Sequence, residues 1–155
     1  MLSGQKQYAL APEQVQFYRE NGYLLVKSVF TREEAQYLRD EAHALIRRLA
    51  DVYSENGVNA MWGSARKITD LPAQLLHCHN AQYHSAAFAR LMLDPRVTDR
   101  IADLVGENIQ LHHTKLFIKP PEKGAPFPMH QDYPYFPHEK HTMLAAIVHF
   151  DDAPI

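Results

Sequence analysis

Cysteine is nearly absent from this sequence, since Cys78 is the single one among 155 residues. One thiol cannot form an intramolecular disulfide, and zinc sites built from several cysteines are excluded as well. A chain without structural disulfides suits a reducing compartment, so we expect a cytoplasmic protein.

Long apolar runs and an excess of charge are also missing. No stretch approaches the roughly 18 uncharged apolar residues of a membrane span, and the N-terminal residues lack the apolar core of a secretory signal. The 16 basic and 18 acidic residues give a formal net charge of -2. From this balance we expect neither a nucleic acid nor a membrane as a partner.

Apolar residues are plentiful, at 46% of the chain, which is enough for one folded domain with a core. Four helices are predicted in the first two thirds, because most of these ranges open with an N-cap side chain or an early proline and carry apolar residues at helical spacing. The apolar run Tyr23–Phe30 predicts a strand between the first two helices. The predicted helical ranges are 12–21, 32–53, 85–93 and 95–105, and the apolar stripe of the second consists of Ala35, Leu38, Ala42, Leu45, Leu49 and Val52.

Residues 54–72 have no clear period and predict a long loop, a kind of segment that is often functional. Trp62, Arg66 and Lys67 in this loop are candidates for contact with a substrate or cosubstrate, against the alternative of a solvated loop with one anchoring tryptophan. His77 and His79 follow the loop, and they share a face only if their segment is extended. Because the surrounding pattern is helical or irregular, a structural role is favoured there over a metal site.

From residue 108 the pattern becomes extended. Met143–Phe150 predicts a long apolar strand, and an earlier strand is predicted over Ile109–Lys119. With only about three strands and unpaired edges, this part predicts the front portion of a longer domain. The earlier strand places Leu111, His113, Lys115 and Phe117 on one face and His112, Thr114, Leu116 and Ile118 on the other.

His130 and Asp132 stand at the centre of the run Pro128–Pro137. In an extended backbone, residues two apart point to the same face, so the imidazole and the carboxylate can aim at one point. They are two thirds of the His-His-carboxylate triad that holds non-haem Fe(II) and leaves positions open for a chelating 2-oxo acid and O2. The motif alone is weak, and a hydrogen-bonded pair at a strand end is the alternative. His138 and His141 fall one residue short of the zinc-protease spacing and are predicted to face solvent.

Three runs of the chain together resemble the phytanoyl-CoA dioxygenase family: His130–Pro137, the upstream His112–Pro121, and Gly22–Val26 before a capped helix. The resemblance covers nearly the whole chain. It implies an α+β fold in which N-terminal helices pack on a double-stranded β-helix, a cupin-like jelly roll, that is truncated before its C-terminal strands. Residues 1–155 would be one incomplete oxygenase domain, with 1–107 mainly helical and 108–155 supplying the first jelly-roll strands.

The resemblance also implies roles for single residues. His130 and Asp132 match iron ligands of the family. The positions that match the family's 2-oxoglutarate pocket are Lys115, Gln131 and Val148. The family's distal histidine ligand and its 2-oxoglutarate-binding arginine come later in the family pattern and are not in this sequence. A local third ligand from His112, His113 or His149 is the less favoured alternative.

The implied reaction is hydroxylation of an unactivated C–H bond of a small molecule by O2, coupled to decarboxylation of 2-oxoglutarate to succinate. The cofactor is Fe(II), 2-oxoglutarate is the cosubstrate, and the predicted substrate wall includes Trp62, Tyr133 and Tyr135. Two alternatives stay open: a non-catalytic jelly-roll binding module or relic, and a cupin-like isomerase that uses the same metal geometry without O2.

Overall fold

The structure, a computed structural model, describes residues 6–55, 77–118, 129–140 and 142–152. Within these ranges it contains four α-helices, one 3-10 helix and two short strands, in agreement with an α+β class. The elements are α1 Pro12–Asn21, α2 Arg32–Glu55, β1 His77–His79, the 3-10 helix Ala81–Tyr83, α3 Ala86–Leu93, α4 Pro95–Val105 and β2 Lys115–Phe117. No described helix is both long and apolar enough to cross a membrane.

All four predicted helices are confirmed, because their end signals act locally. The Gly22 backbone lies in the left-handed region with φ 76°, where a side chain would be strained. Its N–H donates to the Tyr18 carbonyl at 2.8 Å and ends α1. A capping box begins α2: the Glu34 N–H donates to Thr31 Oγ1 at 3.2 Å, and the Thr31 N–H donates to Glu34 Oε2 at 2.8 Å.

Arg96 joins the first turn of α4 to the first turn of α2. The Asp94 carboxylate caps α4 by accepting the Arg96 N–H at 2.9 Å and pairs with the Arg96 guanidinium at 2.7 Å. The same guanidinium donates to Glu34 at 2.9 Å and lies 4.4 Å from the centre of the Phe30 ring. This shared cation fixes the relative position of the two helix starts.

The Arg96 cluster predicts acid-sensitive stability. The Arg96 hydrogen bond is the main cause that holds the pKa of Asp94 below its usual range, and the Thr31 N–H followed by Arg96 lowers the pKa of Glu34. Lowered carboxyl pKa values stabilise the fold above the unfolded-state pKa, and this contribution is lost as the pH falls. We expect the urea midpoint to drop between about pH 5 and pH 3, and Arg96→Ala to flatten that drop. The control is Arg90→Ala, at an exposed residue. If the urea midpoint falls equally steeply with pH in both variants, the acid sensitivity does not arise from the Arg96 cluster.

The core lies between α2, α3 and the small sheet. Leu38, Ala42 and Leu45 of the predicted α2 stripe are buried, which confirms the stripe at these positions. Cys78 is buried in β1, and burial raises the pKa of its thiol. No residue of α4 is fully buried, so α4 packs on the core from its edge. The whole buried cluster consists of Leu38, Ala42, Leu45, Cys78, Ala81, Ala87, Phe88, Leu91 and Leu116.

The strand predictions are mostly wrong in extent. The segment Tyr23–Phe30 is irregular and Met143–Phe150 forms no strand. In the described part of the predicted Ile109–Lys119, residues 109–118, the strand is limited to Lys115–Phe117. The reason is pairing, since a strand needs a neighbour to satisfy its backbone N–H and carbonyl groups. The described ladder is the antiparallel pair of β1 and β2. Its register sets His77 opposite Phe117, Cys78 opposite Leu116 and His79 opposite Lys115.

The irregular pattern expected around His77 and His79 is also wrong, because these residues form β1. Extended backbone places both imidazoles on one face, and their ring centroids are 5.4 Å apart. Among the described residues, no group of three or more metal-ligating side chains forms. The structure therefore gives this pair a place in the sheet.

Candidate metal centre

The segment that carries His130 and Asp132 is an irregular stretch followed by one helical turn. The Asp132 carbonyl accepts the N–H of Tyr135 at 2.9 Å and the N–H of Phe136 at 3.0 Å. Pro134 lies in the first turn, where a missing N–H costs no hydrogen bond. Asp132 thus opens a turn instead of ending a strand, and its backbone position is fixed by two bonds.

The two side chains point to the same side of the backbone. His130 Nε2 lies 3.3 Å from Asp132 Oδ1, and both side chains are partly exposed. The convergence expected from the one-residue spacing is therefore present. In the absence of a metal ion, this contact is a hydrogen bond or, with a protonated imidazole, an ion pair.

The distance between these two atoms fits a pair of metal ligands. Ligand atoms about 2.1 Å from a metal ion and at roughly a right angle to each other are about 3.0 Å apart, close to the observed 3.3 Å. An imidazole nitrogen with a carboxylate oxygen suits a divalent transition metal such as Fe(II). Among the described residues, no third histidine, cysteine or acidic residue completes the cluster. The described part of the chain thus offers two ligands of a triad.

Two tyrosines of the turn contact the surrounding histidines. The Tyr135 ring stands edge-on to the His130 imidazole, with 6.2 Å between centroids and an interplanar angle of 87°. The Tyr133 ring packs on His138 at 5.1 Å. His138 Nδ1 is 2.7 Å from the Phe136 carbonyl, and because a carbonyl only accepts, this nitrogen carries the hydrogen. The turn therefore orders imidazoles on both of its sides.

An open depression of about 440 Å³ adjoins Asp132. Polar and apolar residues both line it. It is lined by Gly22 at the end of α1, by Gln131, Asp132, Tyr133 and His138, and by Met143, Leu144 and Ala145. A depression of mixed polar and apolar lining suits an organic molecule with few polar groups.

His138 lines the depression and was not among the predicted site residues. It was predicted to face solvent, but it is partly buried, bonded to the turn and part of the depression. The sequence signal that could have indicated this role is its position two residues after Phe136, the last aromatic residue of the motif. A turn that reverses the chain after Asp132 brings that position back towards the motif.

The predicted 2-oxoglutarate residues are not gathered in this structure. Gln131 lines the depression beside Asp132, whereas Lys115 and Val148 are outside its lining. Lys115 lies in β2, with Nζ 4.5 Å from the centre of the Phe117 ring, and burial lowers the pKa of its ammonium group. Trp62, Arg66 and Lys67 fall outside the described residues.

His112 and His113 were predicted on opposite faces of a strand, and this is wrong. Their Nδ1 atoms are 2.7 Å apart, because the backbone there is irregular and not extended. Both rings pack on Phe136, at 4.9 and 5.1 Å. Neither they nor the exposed His149 complete a metal cluster with His130 and Asp132 in the described part of the chain.

Comparison with known proteins connects this arrangement to one family. The profile of the phytanoyl-CoA dioxygenase (PhyH) family matches residues 18–155. The chain is 28% identical over 140 residues to a probable alpha-ketoglutarate-dependent hypophosphite dioxygenase of Stutzerimonas stutzeri, a match that covers 90% of this chain and 48% of that protein.

Two further relatives have comparable similarity. An ectoine dioxygenase of Bordetella bronchiseptica is 28% identical over 125 residues, which covers 81% of this chain and 38% of that protein. The human peroxisomal phytanoyl-CoA dioxygenase is 28% identical over 131 residues, with 83% and 38% covered. The chain thus spans less than half the length of these relatives.

Proposed function

This chain belongs to the phytanoyl-CoA dioxygenase family, and we therefore propose that it is part of an Fe(II)- and 2-oxoglutarate-dependent dioxygenase. The proposed reaction converts a substrate C–H bond, O2 and 2-oxoglutarate into a hydroxylated product, succinate and CO2. The observation that supports it best is the 3.3 Å approach of His130 Nε2 to Asp132 Oδ1. Bound Fe(II) supplies the redox chemistry by which O2 and 2-oxoglutarate oxidise the substrate.

The proposed task of His130 and Asp132 is to hold the metal from one side. The Asp132 carboxylate offsets part of the cationic charge, and its fixed backbone keeps the ligand in place. We place the third ligand and the jelly-roll strands that would support it outside the described part of the chain. The depression beside Asp132 then receives the substrate, and its lining offers polar contacts from Tyr133 and His138 and apolar contacts from Met143 and Leu144.

The proposal for the cosubstrate pocket rests on the family resemblance. It assigns Lys115, Gln131 and Val148 to 2-oxoglutarate, and of these Gln131 is adjacent to Asp132 in space as well as in sequence. Lys115 carries the charge that a dicarboxylate requires. The relatives are named for hypophosphite, ectoine and phytanoyl-CoA, which supports a small-molecule substrate without selecting one.

The proposal predicts a visible charge-transfer band when Fe(II) and 2-oxoglutarate are added anaerobically to the full-length protein. Chelation of the metal by the keto acid causes the band, so Fe(II) with succinate, which has no keto group, is the matched control. The measurement is an absorption titration. A protein that gives no band with either acid would contradict the proposed cosubstrate, and so would equal spectra with both.

A further inference from the structure

Tyr135 is joined to both proposed metal ligands by separate contacts. Its N–H donates to the Asp132 carbonyl at 2.9 Å, and its ring stands edge-on to the His130 imidazole at 6.2 Å. The His130 and Asp132 side chains meet at 3.3 Å. Each of the three residues therefore contacts the other two, through one backbone hydrogen bond, one aromatic ring contact and one polar side-chain contact.

The surroundings of His130 make this ring contact important. The imidazole is partly exposed, so close packing on all sides does not select its rotamer. A perpendicular ring pair with centroids about 4.5–7 Å apart is a favourable aromatic geometry, and it restricts rotation of a half-exposed imidazole. The backbone bond to Asp132 in turn fixes the point from which the tyrosine ring extends.

We infer that Tyr135 is a positioning residue that holds the His130 imidazole in its metal-ligating orientation through an edge-on ring contact. This inference rests on the proposed metal site and goes beyond it, because it gives the tyrosine a role towards the ligand instead of the substrate. Groups that orient metal ligands typically change metal affinity by about 10- to 100-fold when removed. The ring makes the contact here, so the hydroxyl is dispensable.

The test is Co(II) binding to the full-length protein, followed by calorimetry and by the visible absorption spectrum of the bound ion. Tyr135→Ala is expected to weaken Co(II) binding by about 10-fold and to change the intensity of the spectrum, which depends on ligand geometry. Tyr135→Phe is expected to retain wild-type affinity and spectrum. Tyr83→Ala is the matched control, since this tyrosine is 79% exposed and lies on the 3-10 helix.

The outcomes separate this inference from the proposed function. Wild-type protein that binds no Co(II) contradicts the metal site itself. Wild-type binding that Tyr135→Ala leaves unchanged overturns only the role of Tyr135, and a loss in Tyr135→Phe as large as in Tyr135→Ala shows that the hydroxyl acts instead of the ring. The residue is 69% exposed, so the variants should fold. If thermal unfolding shows that Tyr135→Ala does not, Tyr135→Leu, which keeps apolar bulk without an aromatic edge, must show the same 10-fold loss.

Discussion

Replacing Asp132 or His130 by alanine is expected to lower the Co(II) affinity of the full-length protein by about 100-fold or more. Structural metal sites with four ligands bind with about 10–16 kcal/mol, or roughly 3 kcal/mol for each ligand, which corresponds to about 100-fold. The effect of Asp132→Ala should equal or exceed that of His130→Ala, since the carboxylate also offsets the charge of the cation. Calorimetric titration measures both constants.

Two exposed residues serve as controls for these variants. His84→Ala removes an imidazole and Asp152→Ala removes a carboxylate, and both residues are solvent-exposed and distant from the motif in sequence. Each control should leave the affinity within twofold of wild type. Metal binding that survives loss of both His130 and Asp132 would place the metal elsewhere and remove the basis of the proposed oxygenase. Loss of affinity in His84→Ala would mean that the measured site is another one.

The helices were predictable because their signals are local. Thr31 and Glu34 form hydrogen bonds to each other across the first turn of α2. Asp94 caps α4, and the first residue of that helix is Pro95. Such contacts depend on three or four neighbouring residues and on no distant partner. The sequence therefore located α1 to α4 within a few residues of their ends.

The strands were not predictable in extent, because a strand depends on its neighbour. An apolar, β-branched run such as Tyr23–Phe30 has strand propensity, yet propensity supplies no hydrogen-bond partner for its backbone. His77–His79 has no such propensity and still forms β1, since Phe117 to Lys115 lie alongside it. Pairing across nearly 40 residues of sequence is invisible to a local pattern.

The candidate site was predictable in part. The convergence of His130 and Asp132 follows from their spacing and is present. The turn that follows them was not foreseen, because it depends on the Asp132 carbonyl accepting two N–H groups. That turn brings Tyr135 to His130 and Tyr133 to His138, contacts that spacing alone cannot specify.

Leu45 is expected to be important for the stability of the core. Leu45 is 1% exposed in the middle of α2 and belongs to the cluster that includes Phe88, Leu91 and Leu116. Leu45→Ala removes buried methyl groups and leaves a cavity, so we expect the free energy of unfolding to fall by about 3 kcal/mol. Leu45→Met conserves most of the volume and should cost less than about 1.5 kcal/mol.

Leu93→Ala is the matched control, because it is the same substitution at a helical residue that is 79% exposed. We expect Leu93→Ala to change the free energy of unfolding by no more than about 0.5 kcal/mol. Urea unfolding followed by far-ultraviolet circular dichroism measures all three variants. If Leu45→Ala destabilises the protein no more than Leu93→Ala, α2 does not pack through this face. The anchoring of the small sheet on α2 and α3, through Cys78 and Leu116, would then be wrong as well.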